Sequence, residues 1–425
     1  MTDYGCRELR RSRYAYIGEA ALEYLIAILV QGTFLAQVTM NIGFTDSQTG
    51  IISSVISLGC LFQLASLFWR KGTVKKFVLG MSIANQVLFL LLYTVPFIPF
   101  SGTVKKAVFL VFIFSAYGIY YIAHPKKIGW LMSLVEDDHR GRFTATKEMI
   151  SLAVGILFSY GMGVVVDHFR DAGDVTGAFV ICSVVMAVLM ILHAVTMLIC
   201  VELPGEAQTN RTGVGFFRNL LAVTRQKNTM KIAVVFALWY FGSYFTTSFY
   251  GTYQLRELGM TQSVTTLLVA AGSICRIAVS RPLGVFADRF SFAAMIRVCL
   301  MFAAAGFGCA AFATQPTGVI CFLLFQVFHG VAMGGINSAL TNLVFDYTPP
   351  ESRADSLALC QSTAGICGFF ATICGSRVVE TIQRHGNRLL GIPVYAQQVT
   401  SMVAVVVTLV TVLYITAAFR KKTEE

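Results

Sequence analysis

The chain has 425 residues, 56% of them hydrophobic and 13% charged, whereas soluble chains usually carry about 25% charged residues. So small a polar complement cannot cover a water-facing surface, which excludes a soluble fold and leaves no room for a separate soluble domain. The formal net charge of +11 is scattered through short segments between apolar runs, so it speaks for orientation in a membrane and against a nucleic-acid partner.

Apolar runs of about 20 residues, the length that crosses a hydrocarbon core of roughly 30 Å, recur from near Tyr14 to Ala418. In chain order they predict spans at 15–42, 48–69, 76–98, 106–135, 143–166, 175–200, 229–254, 262–284, 292–314, 317–346, 354–380 and 395–419. The basic N-terminus, with Arg7, Arg10, Arg11 and Arg13, leads into the first run with no small-residue cleavage site, so a retained span is expected there rather than a signal peptide. Of the cysteines only Cys6 lies clearly outside the apolar segments; none shows metal-ligand or disulfide-framework spacing, and they read as small packing residues.

Lys and Arg sort by loop. The N-terminus, Arg70 to Lys76, Arg140 to Lys147, the central segment, Arg281 to Arg297, Arg353 and the C-terminus hold most of them. The opposite side holds Lys105, Lys106, Arg170, Arg256, Arg377, Arg384 and Arg388. The richer side is expected to be cytoplasmic, with both termini on it, as an even number of spans requires. The longest polar stretch, from Glu202 to Lys227, carries Pro204, Gly205, Gly213 and Gly215 and reads as a cytoplasmic linker. The expected organisation is a six-helix bundle over 1–200, a linker over 201–228 and a second six-helix bundle over 229–425.

The two halves repeat. After the fourth span the chain reads Leu134-Val-Glu-Asp-Asp-His-Arg140-Gly-Arg-Phe-Thr-Ala, and after the tenth Tyr347-Thr-Pro-Pro-Glu-Ser-Arg353-Ala-Asp-Ser-Leu-Ala. Aligning Arg140 on Arg353 sets His124 on Asn337, Pro125 on Ser338 and Glu148 on Gln361. Two similar halves joined by a linker form the plan of transporters that rock two bundles about a midplane site. The predicted fold class is an all-α integral membrane protein of twelve transmembrane helices in two pseudo-symmetric six-helix bundles.

The segment after the eighth span, Arg281-Pro-Leu-Gly284-Val-Phe-Ala-Asp288-Arg289-Phe-Ser291, resembles the G-x-x-x-D-R-x-G loop signature of the major facilitator superfamily. The resemblance extends over essentially the whole chain. It implies that Asp288 and Arg289, with Gly284, Arg281, Arg140 and Arg353, belong to a cytoplasmic gate that fastens neighbouring helix ends. Ser291 stands where the second Gly of the signature would be, and the first-half copy, Trp69-Arg70-Lys71-Gly72-Thr-Val-Lys75-Lys76, has Trp69 in place of the Asp. The fifth span has Gly155, Gly161 and Gly163 but no Gly-Pro pair, unlike the drug antiporters of the family. The run His124-Pro-Lys-Lys-Ile-Gly-Trp130 into Arg140-Gly-Arg-Phe resembles bacterial members.

Ionisable side chains inside a span cost roughly 2.5–3.5 kcal/mol or more at the bilayer centre, so each needs a partner or a wet cavity. Glu19 and Glu23 lie one turn apart in the first span, Lys126 and Lys127 follow Pro125 in the fourth, Lys147 and Glu148 open the fifth, and Arg276 lies in the eighth. At ~1.5 Å rise per residue, Glu23, Lys127 and Arg276 each lie about 12 Å from the cytoplasmic end of their span, so one layer can hold all three. Glu19 and Lys147 are expected to reach back to the interface.

The resemblance puts the first, fourth, seventh and tenth helices around the cavity. Expected cavity residues are Glu23, Gln31, His124, Lys126, Lys127, Tyr240, Tyr244, His329, Asn337 and Gln361. Glu23 and Glu148 are the expected proton-coupling carboxylates, while one lysine binds an anionic or hydroxyl-rich solute or releases Glu23. Tyr250 and Tyr253 read as interfacial anchors, and His193 as structural.

The expected function is secondary active transport of a small polar solute, a sugar, glycoside or organic anion, by alternating access with proton coupling. The partners are that solute and the lipid bilayer, and the chain is expected to be monomeric, in the plasma membrane, with no cofactor and no metal. No Walker loop is present, which disfavours direct ATP use, and no His, Asp or Ser cluster at catalytic spacing suggests an enzyme. Export of amphipathic drugs or metabolites is the alternative transport reading. A membrane sensor without transport is the alternative from another class.

Overall fold

A computed structural model describes residues 6–59, 62, 73–136, 140–202, 222–349, 352–389 and 391–419. The first half contains α1 (Cys6–Leu29), α2 (Gly32–Ile42), α3 (Asp46–Ser53), α4 (Val74–Leu92), α5 (Gly102–Ser133), α6 (Arg140–Asp171) and α7 (Val175–Ile199). The second contains α8 (Lys227–Thr247), α9 (Gln262–Arg289), α10 (Phe292–Ala311), α11 (Gly318–Tyr347), α12 (Arg353–Arg384) and α13 (Ala396–Ala418). Eleven segments among the described residues are long and apolar enough to cross a membrane, α1 with α2 counting as one. Of the twelve expected spans, the one at 48–69 is described only at its start, as α3 and a 3-10 turn over Ser54–Leu58. Trp69, Arg70, Lys71 and Gly72 lie outside the described residues.

Three local features differ from expectation. The first span is not one helix. It breaks after Leu29 and restarts at Gly32, whose φ of +56° is accessible to glycine and strained for a side-chain-bearing residue. The break frees carbonyls in apolar surroundings, and tyrosines from neighbouring helices satisfy them: Tyr93 Oη donates to the Leu29 carbonyl at 2.5 Å and Tyr117 Oη to that of Val30 at 3.4 Å. Second, the Arg140 and Arg281–Arg289 segments, expected as loops, are helical, because helices longer than the hydrocarbon core carry their turns on past it. Third, a short hairpin, Arg388–Leu389 paired antiparallel with Ile392–Pro393, joins α12 to α13.

The chain forms two compact units, and they do not follow the halves of the sequence strictly. The first comprises 1–44, 59–212 and 261–266, the second 45–58, 213–260 and 267–425. In the first unit α1 packs on α6 and α7, and α4 on α5 and α7. Tyr16, Trp130, Leu131, Leu134 and Met197 form a core cluster there. In the second, α8 packs on α12 and α13, α10 on α11 and α13, and α3 on α12. Small residues admit the close approaches: a Cβ at Gly330 on α11 would run into the backbone of Gly272 on α9.

Candidate functional site

Four helices of the first unit converge on one polar cluster. Glu19 and Glu23 lie four residues apart on α1 and so share a face. Against that face α5 brings Lys127, whose Nζ donates to Glu19 Oε1 at 3.1 Å and also to Glu23 Oε2. From α7, His193 Nε2 meets the same Glu19 oxygen at 3.2 Å, and from α4, Gln86 Nε2 meets His193 Nδ1 at 2.9 Å. With the Gln86 amide placed to donate, the neighbours select one tautomer of the imidazole. A carboxylate can only accept, so Nε2 carries the proton, and Nδ1 of the neutral ring accepts from the Gln86 amide. Tyr120 stands beside Lys127, its ring centroid 5.8 Å from Nζ.

Burial grades the cluster. The side chains of Glu19, His193 and Lys127 are 1%, 2% and 5% exposed, that of Glu23 24%. Among the hydrogen-bonded members two carboxylates face one ammonium and an imidazole, so with the ring neutral these four carry one net negative charge, and Lys147 stands nearby as a second ammonium, on Tyr16. Glu19, Glu23 and His193 each present an atom suited to a metal ion, all within 4.8 Å of one another. Lys127 Nζ donates to both carboxylates; the ammonium plays the part a cation would otherwise take.

The expected residues fall into three groups. Glu23 and Lys127 meet, as their matched depths foretold, but Lys127 is enclosed rather than open to a solute. Glu19 does not reach back to the interface; Lys127 and His193 hold it inside. His193, expected to be structural, is a full member of the cluster. Lys147, only half-buried, donates to Tyr16 Oη at 3.2 Å and lies over that ring. His124 stacks loosely beside Tyr120 and Tyr121, with centroids at 5.4 and 6.4 Å. Lys126 is buried with Nζ over Phe77 at 4.9 Å, and Glu148 is exposed. Gln31 sits in the helix break as the residue preceding α2, its side chain exposed.

The second group lies in the second unit. Tyr240 and Tyr244 are stacked, 5.9 Å apart and 11° from parallel. Asn337 on α11 and Gln361 on α12 are exposed, and Arg276 lies on α9. His329 stacks on Phe325 at 5.1 Å and packs by Phe307 at 6.0 Å. Tyr250 and Tyr253, expected as interfacial anchors, are buried instead, bonded to Ser401 Oγ at 2.8 Å and to the Ala313 carbonyl at 2.7 Å. The third group is the expected gate. Arg281 and Arg289 are exposed, Gly284 is half-buried, and Arg353 lies over Phe345 at 5.8 Å. The side chains of Arg140 and Asp288 lie outside the described ones.

Two further polar sites were not foreseen. In the second unit Asp46, buried in the first turn of α3, accepts from Arg256 Nη1 at 2.6 Å and Gln383 Nε2 at 2.8 Å, and Ser47 Oγ meets Ser376 Oγ at 2.5 Å. In the first unit Asp167, near the end of α6, takes the backbone N–H groups of Gln262 and Ser263 at 2.8 and 2.7 Å and the Ser263 hydroxyl at 2.5 Å. A carboxylate from a distant helix thereby caps the N-terminus of α9. In both places a helix start from one half of the sequence is tied into the unit formed mainly by the other half. The signal was an acidic residue at a helix boundary, but its partners are far away in sequence.

Comparison with known proteins agrees with this architecture. A variant of the nucleoside transporter NupG superposes with a TM-score of 0.75 at 13% identity, over 96% of this chain and 100% of that one. A bacterial homolog of the human lysosomal transporter Spinster gives 0.71 at 15%, over 98% of each chain. The E. coli fucose:proton symporter FucP gives 0.59 at 13%, over 98% and 99%. A sequence comparison with curated proteins finds no match. Residues 15–372 match the Major Facilitator Superfamily, and the chain therefore belongs to that family, as a multi-pass membrane transporter and not an enzyme.

Proposed function

We propose that the protein is a proton-coupled secondary transporter of a small neutral polar solute, with Glu23 as the coupling carboxylate. The observation that carries this reading is the charge imbalance of the buried cluster. Lys127 is shared by Glu19 and Glu23, so one carboxylate is in excess, and Glu23 is the member with a quarter of its side chain open. Uptake of one proton on Glu23 brings the cluster to neutrality, which lowers the cost of holding it within a membrane-spanning bundle while the halves rock.

The cluster also narrows the solute. An organic anion would not find Lys127 open, because two carboxylates enclose it. Hydroxyls and rings fit better what the exposed faces offer. Gln31, Asn337 and Gln361 are amides, which both donate and accept, and exposed amides within spans are expected to face water rather than lipid. Tyr240 and Tyr244 add aromatic faces suited to a sugar or base ring. A fucose:proton symporter shares this fold, and its chemistry matches that reading. The positive-inside bias favours an orientation with both termini in the cytoplasm.

The test is a screen of the purified protein in proteoliposomes against neutral sugars, glycosides and nucleosides, with organic acids as the contrasting set. The interior pH is followed as each solute is added. Proton movement with a neutral solute is the expected result. Transport of organic acids alone, or solute movement with no proton movement, would overturn the reading.

A further inference from the structure

We propose that His193, backed by Gln86, is a positioning residue of the proton site: it keeps Glu19 ionised, so Lys127 stays anchored on Glu19 while Glu23 exchanges its proton. This rests on the reading of Glu23 as the coupling carboxylate. With one ammonium between them, two carboxylates on one helix face compete for the same counter-charge and for the same proton. Unless something distinguishes them, either takes the proton, and Lys127 follows whichever remains charged.

The structure distinguishes them. Each carboxylate shares Lys127 and accepts one further side-chain hydrogen bond, Glu19 from His193 Nε2 and Glu23 from Tyr120; the donor at Glu19 is itself buried and held by a second residue, and it favours the ionised carboxylate without supplying a second charge. Gln86 fixes the imidazole by donating to Nδ1, which leaves the ring proton on Nε2, pointed at Glu19. Glu19 lies at 1% side-chain exposure and Glu23 at 24%, so water delivers the proton to Glu23. The groups that face Glu19 are Tyr16 and Glu23 on its own helix, Lys127, Tyr120 and His124 on α5, Lys147 on α6, and His193 with nearby Cys200 at the α7 side. Of the hydrogen bonds described at Glu19, only those from Lys127 and His193 link it to another helix. A merely structural His193 would pack α7 against α1 and leave the choice of protonated carboxylate unchanged.

The experiment is an infrared pH titration of the full-length protein in liposomes, following the carboxylic-acid C=O stretch. In the native protein the acid band that titrates in the cluster should vanish in Glu23→Gln. In His193→Leu part of that band's intensity should move to a second acid band, the sum staying near one carboxyl per protein, and this second band should vanish in the Glu19→Gln/His193→Leu double variant. His193→Gln, whose amide reaches the place of Nε2, should behave as the native protein does. His193→Asn reaches only the place of Nδ1 and should behave as His193→Leu does, which keeps the test available if Leu impairs folding. A folded His193→Leu or His193→Asn variant with the native band alone overturns the proposal. If Glu23→Gln leaves the native band in place, the assignment of Glu23 fails, and the presence or absence of a Glu19-dependent band in His193→Leu still decides the role of His193.

Discussion

Replacing Lys127 by Met gives the sharpest test of the cluster's energetics. Methionine keeps the unbranched stem and removes the charge, leaving Glu19 and Glu23 facing each other with ligand atoms within 4.8 Å. Removing one partner of a buried ion pair costs about 3–5 kcal/mol, because the other charge is left uncompensated. Neutralising one carboxylate as well should recover part of that loss. In Glu19→Gln/Lys127→Met, the amide oxygen of the substituted side chain still accepts from His193, and the double variant should be more stable than Lys127→Met by about 1–3 kcal/mol. The assay is denaturation of the purified protein in detergent for the native chain, both single variants and the double. Falling pH supplies the missing positive charge as protons on the carboxylates, so the deficit of Lys127→Met should shrink toward acid pH. A Lys127→Met protein as stable as the native one, or strictly additive losses in the double variant, would refute the reasoning.

Other expectations follow from single contacts. Asp167→Ala removes the cap on α9 and should cost about 1–2 kcal/mol in the same assay; Asp167→Asn keeps an acceptor and should cost less. Gly32→Ala forces a side chain into the left-handed region and should cost about 1–2 kcal/mol. Gly80→Ala, in the exposed interior of α4 with open space around its Cβ position, should be neutral or stabilising by up to ~1 kcal/mol.

Eleven of the expected spans were legible among the described residues because apolar length is a local property, and their ends moved where helices run past the hydrocarbon, by most at the first span, which begins at Cys6. The meeting of Glu23 with Lys127 was legible from helix rise alone, since two costly charges at equal depth have reason to find each other. His193 was not legible: one polar residue in the apolar run of α7 carries no sign of which way it faces, and its partners Glu19 and Gln86 sit on two other helices. The break at Gly32 was hidden because glycine is common in membrane helices, and the tyrosines that answer the freed carbonyls, Tyr93 and Tyr117, are remote in sequence. Asp46 and Asp167 were not singled out in the sequence, because an acidic residue at a helix boundary is common and their partners Arg256, Gln383 and the start of α9 are remote in sequence.

The central claim is that Glu23 couples a proton to solute movement. It is tested most directly by comparing native and Glu23→Gln proteins in proteoliposomes, with any solute found by the screen, under an imposed pH gradient and in counterflow without one. The account predicts that Glu23→Gln abolishes accumulation driven by the pH gradient while retaining counterflow exchange, because exchange requires no net proton transfer. Gradient-driven accumulation that survives in Glu23→Gln with its pH dependence intact would contradict it.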